Sequence, residues 1–471
     1  MQLYLKLVLF LAPFVAWFLV LDFFLTRYAS RINVDVLNSK ARLDSSEKVP
    51  APPKWGVVSP KYIVTGGAGF VGSWISRFLL FRGINPADIT ILDNNPRAPP
   101  DLIKYGVKYI NVDLTDDEAL IKELDGIVGD KGGVNLVVYH AAAIQRHYIG
   151  YRFYDRAPAK QNVNMAQSLV EAVNHIAARL EPEAANNTIT VINIGDAQSD
   201  YEAPRWWQVW DFNNWVDTYK RGKVPASSRK YLSSYAQSKA EAEAILLSEK
   251  SFASSNKATC VKVVSLRVQG IVTGYYGEPI LSPAMYYGGI IDHQWSIPTC
   301  FIHVEDVCRA ALLAENALAK EVCGEVSEDT VVSWHSFVVS NGQTVRFGDA
   351  MKSLVESDTL RDIRINPGLV LATSFIVNLL LHIYPGPQKK WRSRDTSVFS
   401  GRWWVLTPER FATVQTAQIP VASEIARTRR ALGFLAVHGA LAALQDQAAD
   451  FGKHKDLIRK SAVAAQEQEG A

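Results

Sequence analysis

The sequence predicts an α/β protein built on a doubly wound parallel sheet. From residue 61 onward, short apolar segments alternate with helix-forming segments, and a glycine-rich turn joins the first apolar segment to the first helix. The apolar segments are continuous, as expected for strands that helices cover on both faces, and the repeated order of strand and helix favours parallel pairing. The predicted strands are Tyr62–Val64, Ile89–Leu92, Val107–Ile110, Val134–Tyr139, Ile189–Ile192 and Val261–Val264.

Length and composition are those of a large globular protein. The chain has 471 residues, of which 48% are hydrophobic, so two or three structural units with a sizeable core are expected. Fifty basic and 47 acidic residues leave a net charge of +3, which gives no electrostatic reason to expect nucleic-acid binding. The four cysteines lack the spacing of a zinc site or a disulfide framework, so reduced structural thiols and no metal are predicted.

The N-terminal region predicts a membrane anchor. Leu7 to Leu21 contains no charged residue, and the apolar character continues past Asp22 to Leu25, close to the roughly 20 residues that a membrane helix needs. A cleaved signal peptide is the alternative, but the apolar segment is long for one and no small-residue cleavage site follows it. Basic residues are more frequent after the segment than before it, which predicts a catalytic domain facing the cytosol, with the endoplasmic reticulum as the expected membrane.

Composition divides the rest of the chain into further regions. A helix is predicted at Val304–Leu318 and a strand at Phe337–Val339. A second apolar segment, Leu369–Tyr384, is interrupted by polar residues, so membrane contact and a buried helix are both open. The predicted regions are a transmembrane anchor at 1–28, a proline-containing linker at 29–60, a nucleotide-binding domain at 61–275, a smaller substrate-binding and C-terminal region at 276–452, and a polar tail at 453–471.

The stretch Thr65–Gly72 reads Thr-Gly-Gly-Ala-Gly-Phe-Val-Gly and directly follows the first predicted strand. Gly66, Gly69 and Gly72 allow a tight turn, close approach of the backbone to a pyrophosphate, and close packing of the next helix on the sheet. A glycine-rich surface loop is the alternative. Because the stretch lies between a strand and a helix, it is predicted to bind the phosphates of a dinucleotide, with Phe70 and Val71 opening the helix.

Asp93 ends the second predicted strand at the position where an acid accepts the ribose hydroxyls of a dinucleotide. A carboxylate repels a 2′-phosphate, so Asp93 favours NAD, whereas the nearby Arg97 leaves NADP open.

Residues at the ends of two further predicted strands extend the cofactor site toward the adenine and the phosphates. One pair is Asp113 with Leu114. The other is His140 with Ala141, where the alanines after the histidine permit close approach of a cofactor. Helix capping by Asp113 and packing at a strand end by His140 are the structural alternatives.

Tyr235 and Lys239 lie four positions apart and therefore share one face of a helix. A lysine cation beside a phenol favours the phenolate, so the pair predicts a tyrosine of lowered pKa that exchanges a proton with a substrate alcohol or ketone. Tyr219 and Lys223 repeat the spacing, but glycine and proline follow them closely and disfavour a helix. The sequence therefore selects the second pair.

These motifs resemble those of the extended short-chain dehydrogenases/reductases, and more narrowly those of the 3β-hydroxysteroid dehydrogenase/isomerase family, over roughly residues 61–434. The resemblance implies a Rossmann-like fold, a nicotinamide cofactor, Tyr235 as general acid and base, and Lys239 as the residue that binds the nicotinamide ribose and lowers the tyrosine pKa. The further matching stretches are Asp113–Asp116, His140–Ala142, Asn162–Asn164, Ser234–Glu243, Leu266–Ile271, Phe301–Val307, Phe337–Gly342 and Ala426–Phe434.

The chain departs from that family after the fifth predicted strand. There the family has a serine or threonine hydroxyl that binds the substrate oxygen, whereas this chain has Gly195 or Asp196. Asp196 can donate a hydrogen bond if an apolar site keeps it protonated, and Ser199 can replace the hydroxyl if the loop bends. Asp196 is therefore the third predicted catalytic residue.

The leading functional hypothesis is a membrane-anchored, NAD(P)-dependent oxidoreductase that interconverts a ring hydroxyl and a ketone on a small apolar substrate, a sterol, steroid or terpenoid. A nucleotide-sugar epimerase or dehydratase and a catalytically impaired NAD-binding membrane protein are the alternatives. The tryptophan-rich segment Arg205–Trp215 is expected to line the substrate pocket, to meet the membrane interface, or simply to pack over the domain.

Overall fold

The computed structural model describes residues 49–55, 59–129, 134–144, 157–180, 187–200, 234–252, 259–275, 289–292, 298–326, 331–355, 361–364 and 422–449, together with Ala16 and Tyr231. The predicted anchor apart from Ala16, the segments Arg205–Trp215 and Leu369–Tyr384, and the polar tail lie outside this part of the chain. Within it, no helix combines the length and the apolar character that crossing a membrane requires.

The described strands are β1 Lys61–Thr65, β2 Ile89–Asp93, β3 Lys108–Asn111, β4 Asn135–His140, β5 Asn187–Asp196, β6 Thr259–Val268, β7 Ile271–Thr273, β8 Gly289–Asp292, β9 Pro298–Thr299, β10 Phe301–His303, β11 His335–Val339, β12 Val345–Arg346 and β13 Arg361–Arg364. The described helices are α1 Phe70–Phe81, α2 Pro100–Lys104, α3 Asp117–Val128, α4 Ala157–Arg179, α5 Ser234–Leu246, α6 Val304–Val322, α7 Phe347–Val355, α8 Ala422–Leu432 and α9 at 440–449.

Seven strands form one parallel sheet in the order β11-β6-β5-β4-β1-β2-β3. The predicted doubly wound parallel sheet is therefore confirmed, and each predicted strand overlaps an observed one. The strand order reverses between β1 and β4, and in such sheets a crevice opens beyond the carboxyl ends of the two strands at the reversal. This edge of the sheet is where a ligand site is expected.

Helices cover both faces of the sheet and create two apolar cores. On one face α1, α6 and α8 pack against residues such as Tyr62 and Val64, and on the other face α3, α4 and α5 pack against residues such as Ile63. Neighbouring residues of a strand point to opposite faces, which explains why the strand sequences are apolar throughout.

The sheet continues beyond residue 275, since β11 pairs with β6 in register Phe337 to Leu266. α6 and α8 pack on the same sheet, so the region expected at the substrate side also supplies part of the nucleotide-binding unit. Three short strand pairs, β7 with β10, β9 with β12 and β8 with β13, complete the described strands. The four cysteines are free, in agreement with the predicted reduced thiols.

A buried polar cluster fastens the described part of the predicted linker to the sheet. The Glu315 carboxylate accepts hydrogen bonds from the hydroxyls of Tyr62 at 3.1 Å and Tyr139 at 2.5 Å, and it forms an ion pair with Arg82. The Arg82 guanidinium also donates to the carbonyl oxygen of Pro50 at 3.0 Å. Residues 49–55 therefore lie against α1 and α6 instead of forming a fully extended tether.

Candidate active site

The glycine turn between β1 and α1 has the close contacts that a phosphate-binding loop requires. Gly66 has a φ of 69°, and a Cβ atom there would lie 2.5 Å from the Cα of Ala142. A Cβ atom on Gly72 would lie 2.3 Å from the carbonyl oxygen of Gly66. Neither position tolerates a side chain without movement of the backbone.

The N-terminus of α1 opens directly from this turn. Gly69 is the N-cap residue and has no side chain to cap the helix, so the amide groups at Phe70 and Val71 receive no side-chain cap from it. Amide groups at a helix N-terminus and the positive end of the helix dipole together bind anions well. The geometry fits a pyrophosphate at the predicted position.

Asp93 at the end of β2 is bound to the same turn. Its Oδ2 accepts a hydrogen bond from the amide of Ala68 at 2.9 Å, and its Oδ1 accepts one from the amide of Asn95 at 2.9 Å. An ionised carboxylate offers about four lone pairs, so these two bonds leave acceptor capacity for two ribose hydroxyls. Arg97, which would favour a 2′-phosphate, is exposed.

Asp113 forms a turn after β3. Its Oδ1 accepts hydrogen bonds from the amide and the hydroxyl of Thr115 at 2.9 and 2.8 Å. The N-cap of α3 is Asp116, which accepts from the amide of Ala119 at 3.1 Å, so the alternative in which Asp113 caps that helix is wrong. Leu114 is buried in the core, so of these two predicted cofactor residues only Asp113 has an exposed side chain.

His140 joins the ends of β4 and β1. Its Nδ1 lies 2.8 Å from the hydroxyl oxygen of Thr65, and the side chain is buried. Burial, and to a smaller degree the positive charge of Lys239, lowers the pKa of His140 to about 3, so the imidazole is neutral. Ala141 follows it, with its amide donating to the carbonyl oxygen of Thr65 at 3.1 Å.

Tyr235, Lys239 and Asp196 meet at the carboxyl end of β5. Tyr235 and Lys239 lie on α5, and the Lys239 Nζ donates to the carbonyl oxygen of Ile194 at 2.8 Å. Asp196 is the last residue of β5, and its carboxylate lies close enough to the Tyr235 hydroxyl to raise the pKa of that tyrosine. The three side chains form one acid–base cluster, in which Lys239 is buried and Asp196 and Tyr235 are half-buried.

Gly195, Asp196 and Ser199 are the candidates to replace the substrate-binding hydroxyl of the resembling family, and the structure distinguishes between them. A side chain at Gly195 would point toward Ser265 and Glu243, with a Cβ atom 3.0 and 3.3 Å from their oxygens. The Ser199 hydroxyl donates to the backbone carbonyl of Asp196 at 2.7 Å. Of these positions, Asp196 is the one whose side chain acts on the pKa of Tyr235.

Burial dominates the electrostatics of the cluster. The pKa of Tyr235 is raised well above its ordinary value by burial, and the negative charge and hydrogen bond of Asp196 raise it further. The expectation that Lys239 lowers this pKa is therefore wrong in the described structure, because desolvation and a carboxylate oppose the phenolate.

Burial shifts the other two members toward their neutral forms as well. It lowers the pKa of Lys239, against the attraction of Asp196 and Glu243, and it raises the pKa of Asp196, against the amide of Gln198 and the charge of Lys239. The protonated form is therefore more favoured for Asp196 than for an exposed aspartate.

Two buried side chains that the sequence did not single out hold α5 in place. The Glu243 carboxylate pairs with the Arg267 guanidinium, with both of its oxygens within 3.0 Å of the arginine Nε. The Asn162 side chain donates to the Ser238 hydroxyl at 2.9 Å and accepts from the amide of Ile144 at 2.7 Å. Both residues lie in the stretches that resemble the family, which was the available signal.

The predicted site residues therefore gather at one edge of the sheet. The glycine turn, Asp93, Ala141 and the cluster of Tyr235, Lys239 and Asp196 follow the carboxyl ends of β1, β2, β4 and β5. The charge of Lys239 acts on His140, so the cluster is close to the β1–β4 crevice. This arrangement can hold a dinucleotide along the crevice with its reactive end beside Tyr235.

Comparisons with known proteins agree with the fold and the glycine turn. Residues 62–195 match the model of the NAD dependent epimerase/dehydratase family. No curated protein shows significant sequence similarity to the chain.

Solved structures with the same fold include nucleotide-sugar enzymes. A UDP-glucose-4-epimerase from Stenotrophomonas maltophila with bound NAD and formylated UDP-arabinopyranose has 14% identity and a TM-score of 0.54 over 86% of this chain and 100% of that chain. The Thermus thermophilus UDP-glucose 4-epimerase in complex with NAD has 17% identity and a TM-score of 0.52 over 83% and 98%. The dTDP-glucose 4,6-dehydratase DesIV from Streptomyces venezuelae has 16% identity and a TM-score of 0.51 over 84% and 98%. At these identities the likeness shows a Rossmann-like fold, and the narrower resemblance to 3β-hydroxysteroid dehydrogenases stays a prediction.

Proposed function

We propose that the protein is an NAD-dependent oxidoreductase of the short-chain dehydrogenase/reductase type that interconverts a hydroxyl and a carbonyl group on its substrate. The observation that carries the proposal is the cluster of Tyr235, Lys239 and Asp196 at the same edge of the sheet as the glycine turn. An acid–base side chain beside a dinucleotide site is the arrangement that hydride transfer from an alcohol needs.

The described residues fit NAD at three points. The N-terminus of α1 suits the pyrophosphate, Asp93 retains lone pairs for the adenosine ribose, and Lys239 lies where a nicotinamide ribose is expected. The carboxylate of Asp93 favours NAD over NADP because it repels a 2′-phosphate. The nicotinamide supplies the hydride acceptor or donor.

Tyr235 exchanges the proton of the substrate oxygen. In the reductive direction the protonated phenol, which its raised pKa favours, donates to the carbonyl oxygen as that oxygen gains negative charge. In the oxidative direction the phenolate takes the hydroxyl proton, and an ionised Asp196 opposes that phenolate. Asp196 carrying a proton removes the opposition and can donate a hydrogen bond to the substrate oxygen, as a serine or threonine hydroxyl does.

A nucleotide sugar is the substrate class that we favour. The match to the epimerase/dehydratase family covers the glycine turn, Asp93 and β5 as far as Gly195, and the structural neighbours include enzymes of UDP and dTDP sugars. In such a reaction a sugar hydroxyl is oxidised and the product is reduced again at the same site, so the cofactor ends in the form in which it began.

A sterol, steroid or terpenoid alcohol is the second candidate substrate. The uncharged segment Leu7–Leu21 favours it, because a membrane anchor would hold the enzyme where a lipid-soluble substrate concentrates. The catalytic domain would then face the cytosol, with the endoplasmic reticulum as the expected membrane.

The test is an assay of full-length protein in detergent or membrane fractions with NAD and NADP. Panels of UDP and dTDP sugars and of sterol and steroid alcohols are followed both by NADH absorbance and by chromatography of products. A converted sugar without net NADH supports the first class, and net NADH with a sterol supports the second.

Tyr235→Phe is the matched variant for this assay. It should lower kcat by about 10²- to 10⁴-fold while NADH binding persists, because only the proton-transfer group is removed. NADH binding without turnover on either panel would instead identify a catalytically impaired binding protein and overturn the proposal.

A further inference from the structure

A second cluster of ligating side chains lies outside the candidate active site, where β10 meets α6. His303, Glu305 and His438 each offer one ligand atom, and these atoms lie within 4.8 Å of one another. His303 ends β10 and Glu305 is in the first turn of α6, whereas His438 lies in the loop between α8 and α9. The fold thus brings together donors from two distant parts of the chain.

We propose that these three side chains bind a divalent transition-metal ion, with zinc as the ion that the donor set fits best. Two imidazoles and one carboxylate are ligands that zinc accepts at about 2.0–2.2 Å. Two ligands on a tetrahedral ion at that distance are about 3.4 Å apart. The Nε2 of His438 and the Oε2 of Glu305 are 3.6 Å apart, close to that separation.

The buried His303 gives a second, independent indication of a ligand. Its side chain is 0% exposed and its Nε2 has no hydrogen-bond partner, although buried polar atoms are nearly always paired. Its Nδ1 accepts a hydrogen bond from the amide of Glu305 at 3.2 Å, so Nε2 is the nitrogen left for a ligand. A metal ion on Nε2 satisfies the orphaned atom.

Metal binding at Nε2 changes the tautomer of His303. With Nδ1 as an acceptor the neutral ring carries its proton on Nε2, and the ion replaces that proton. The ring proton then resides on Nδ1 and faces the Glu305 amide, so that hydrogen bond is lost and the two donors have to move apart. One neutral hydrogen bond at 3.2 Å is a small loss beside a metal–nitrogen bond.

His438 has the carboxylate support that metal-binding histidines commonly have. Its Nδ1 lies 3.4 Å from the Oδ2 of the fully buried Asp306, without a hydrogen bond between them. Asp306 is fixed in turn by the amides of Val437 at 2.7 Å and His438 at 3.1 Å. A carboxylate behind one ring nitrogen orients the other toward the metal, and here that other nitrogen faces Glu305.

The cluster has access to solvent and a favourable charge. The side chains of Glu305 and His438 are 29% and 20% exposed, so an ion can enter and water can take the fourth position. Glu305 and Asp306 supply negative charge for a dication. The rings of His303 and His438 stack with centroids 4.2 Å apart, so the His438 ring has to tilt for its Nε2 and that of His303 to reach one ion. The bound ion would fasten the loop after α8 to the start of α6.

The experiment uses the full-length protein stripped of metal with EDTA. Zinc is titrated by calorimetry, cobalt by its visible absorption spectrum, and the thermal midpoint is followed with and without zinc. We expect one equivalent of either ion, a low-symmetry cobalt spectrum and a higher thermal midpoint with zinc.

His438→Ala, Glu305→Gln and His303→Asn test the ligands one at a time. Asparagine can still accept from the Glu305 amide, so the last variant keeps the cap of α6. Each variant should weaken zinc binding by more than the roughly 10- to 100-fold that follows loss of an outer-shell partner. The control is His175→Asn on α4, which removes an exposed imidazole paired with Asp125 and should leave binding unchanged.

Absence of stoichiometric zinc or cobalt binding in the wild type would overturn the proposal. So would zinc affinity and a thermal shift that His438→Ala and Glu305→Gln leave unchanged. His438 is on a partly exposed loop, so its variant keeps the test decisive even if His303→Asn does not fold.

Discussion

The Asp196 carboxylate at the end of β5 lies close enough to the Tyr235 hydroxyl for its negative charge to raise the pKa of the tyrosine. Asp196 is one of the two residues, with Gly195, that the sequence offers in place of the hydroxyl of the resembling family, and it is the one that raises the pKa of Tyr235. A hydroxyl in that place is neutral at every relevant pH, whereas a carboxyl group is a donor only when protonated. The protonation of Asp196 is therefore expected to enter the pH dependence of the reaction.

Replacement of Asp196 by asparagine should move the rise of the oxidative rate with pH toward lower pH. The variant removes the negative charge that opposes the Tyr235 phenolate, and its amide donates at every pH. The measurement is the pH profile of kcat/KM in the oxidative direction. Asp116→Asn is the control, because asparagine also caps α3. An unchanged profile in Asp196→Asn would contradict the coupling between Asp196 and Tyr235.

Gly72→Ala should abolish measurable NADH binding or weaken it by at least about 10-fold. The new Cβ atom would lie 2.3 Å from the carbonyl oxygen of Gly66, so the turn that receives the pyrophosphate must move. Binding is measured by NADH fluorescence.

Gly126→Ala in α3 is the matched control for that substitution. A Cβ atom there has nothing within 4 Å, so NADH binding should persist and the free energy of unfolding should rise by about 0.5–1 kcal/mol. Equal loss of binding in both variants would show that the effect is not specific to the turn.

His140 should make the protein less stable as the pH falls. Its pKa is about 3 in the folded protein and near 6.5 when exposed, so below pH 6.5 the unfolded chain binds a proton that the folded chain does not. The free energy of unfolding should fall by up to about 1.4 kcal/mol per pH unit from this residue as the pH drops from about 6.5 toward 3.

Urea unfolding of wild type and His140→Asn between pH 7 and 5 checks this slope. His303 has a pKa of about 3 and contributes with the same sign, whereas the raised pKa of Asp196 contributes with the opposite sign. Only the difference between the two proteins therefore isolates His140. His175→Asn controls for loss of an exposed imidazole, and a slope that His140→Asn does not reduce would refute the prediction.

Glu315→Gln should lower the free energy of unfolding by about 3–5 kcal/mol. The variant leaves the Arg82 guanidinium buried without its carboxylate partner, which is more costly than loss of both groups. Urea unfolding measures the change, with Lys61→Met as a control that breaks the exposed Lys61–Asp88 pair and should cost less than about 1 kcal/mol. Similar losses in the two variants would show that the buried cluster is not a special source of stability.

Local features of the chain were sufficient to predict the sheet and the cofactor turn. The continuous apolar segment Ile89–Leu92 lies within β2, the predicted helix Val304–Leu318 lies within α6, and Phe337–Val339 lies within β11. Glycine spacing after β1 predicted the phosphate turn, and helix context predicted that Tyr235 lies on a helix, as it does on α5, whereas Tyr219 lies outside the described residues. Each of these inferences depends on periodicity, backbone freedom or spacing, which a short stretch of sequence carries by itself.

Only the tertiary structure decided the chemistry of the clusters. Gly195 and Asp196 are adjacent in β5, yet only the packing of α5 against that strand determines that Asp196 acts on Tyr235. The direction of the Tyr235 pKa depends on burial and on a carboxylate from another element, not on the lysine four positions away. His303 and His438 stack although they are far apart in the chain. Desolvation and long-range contacts are properties of the packed protein, and a local pattern of residues does not contain them.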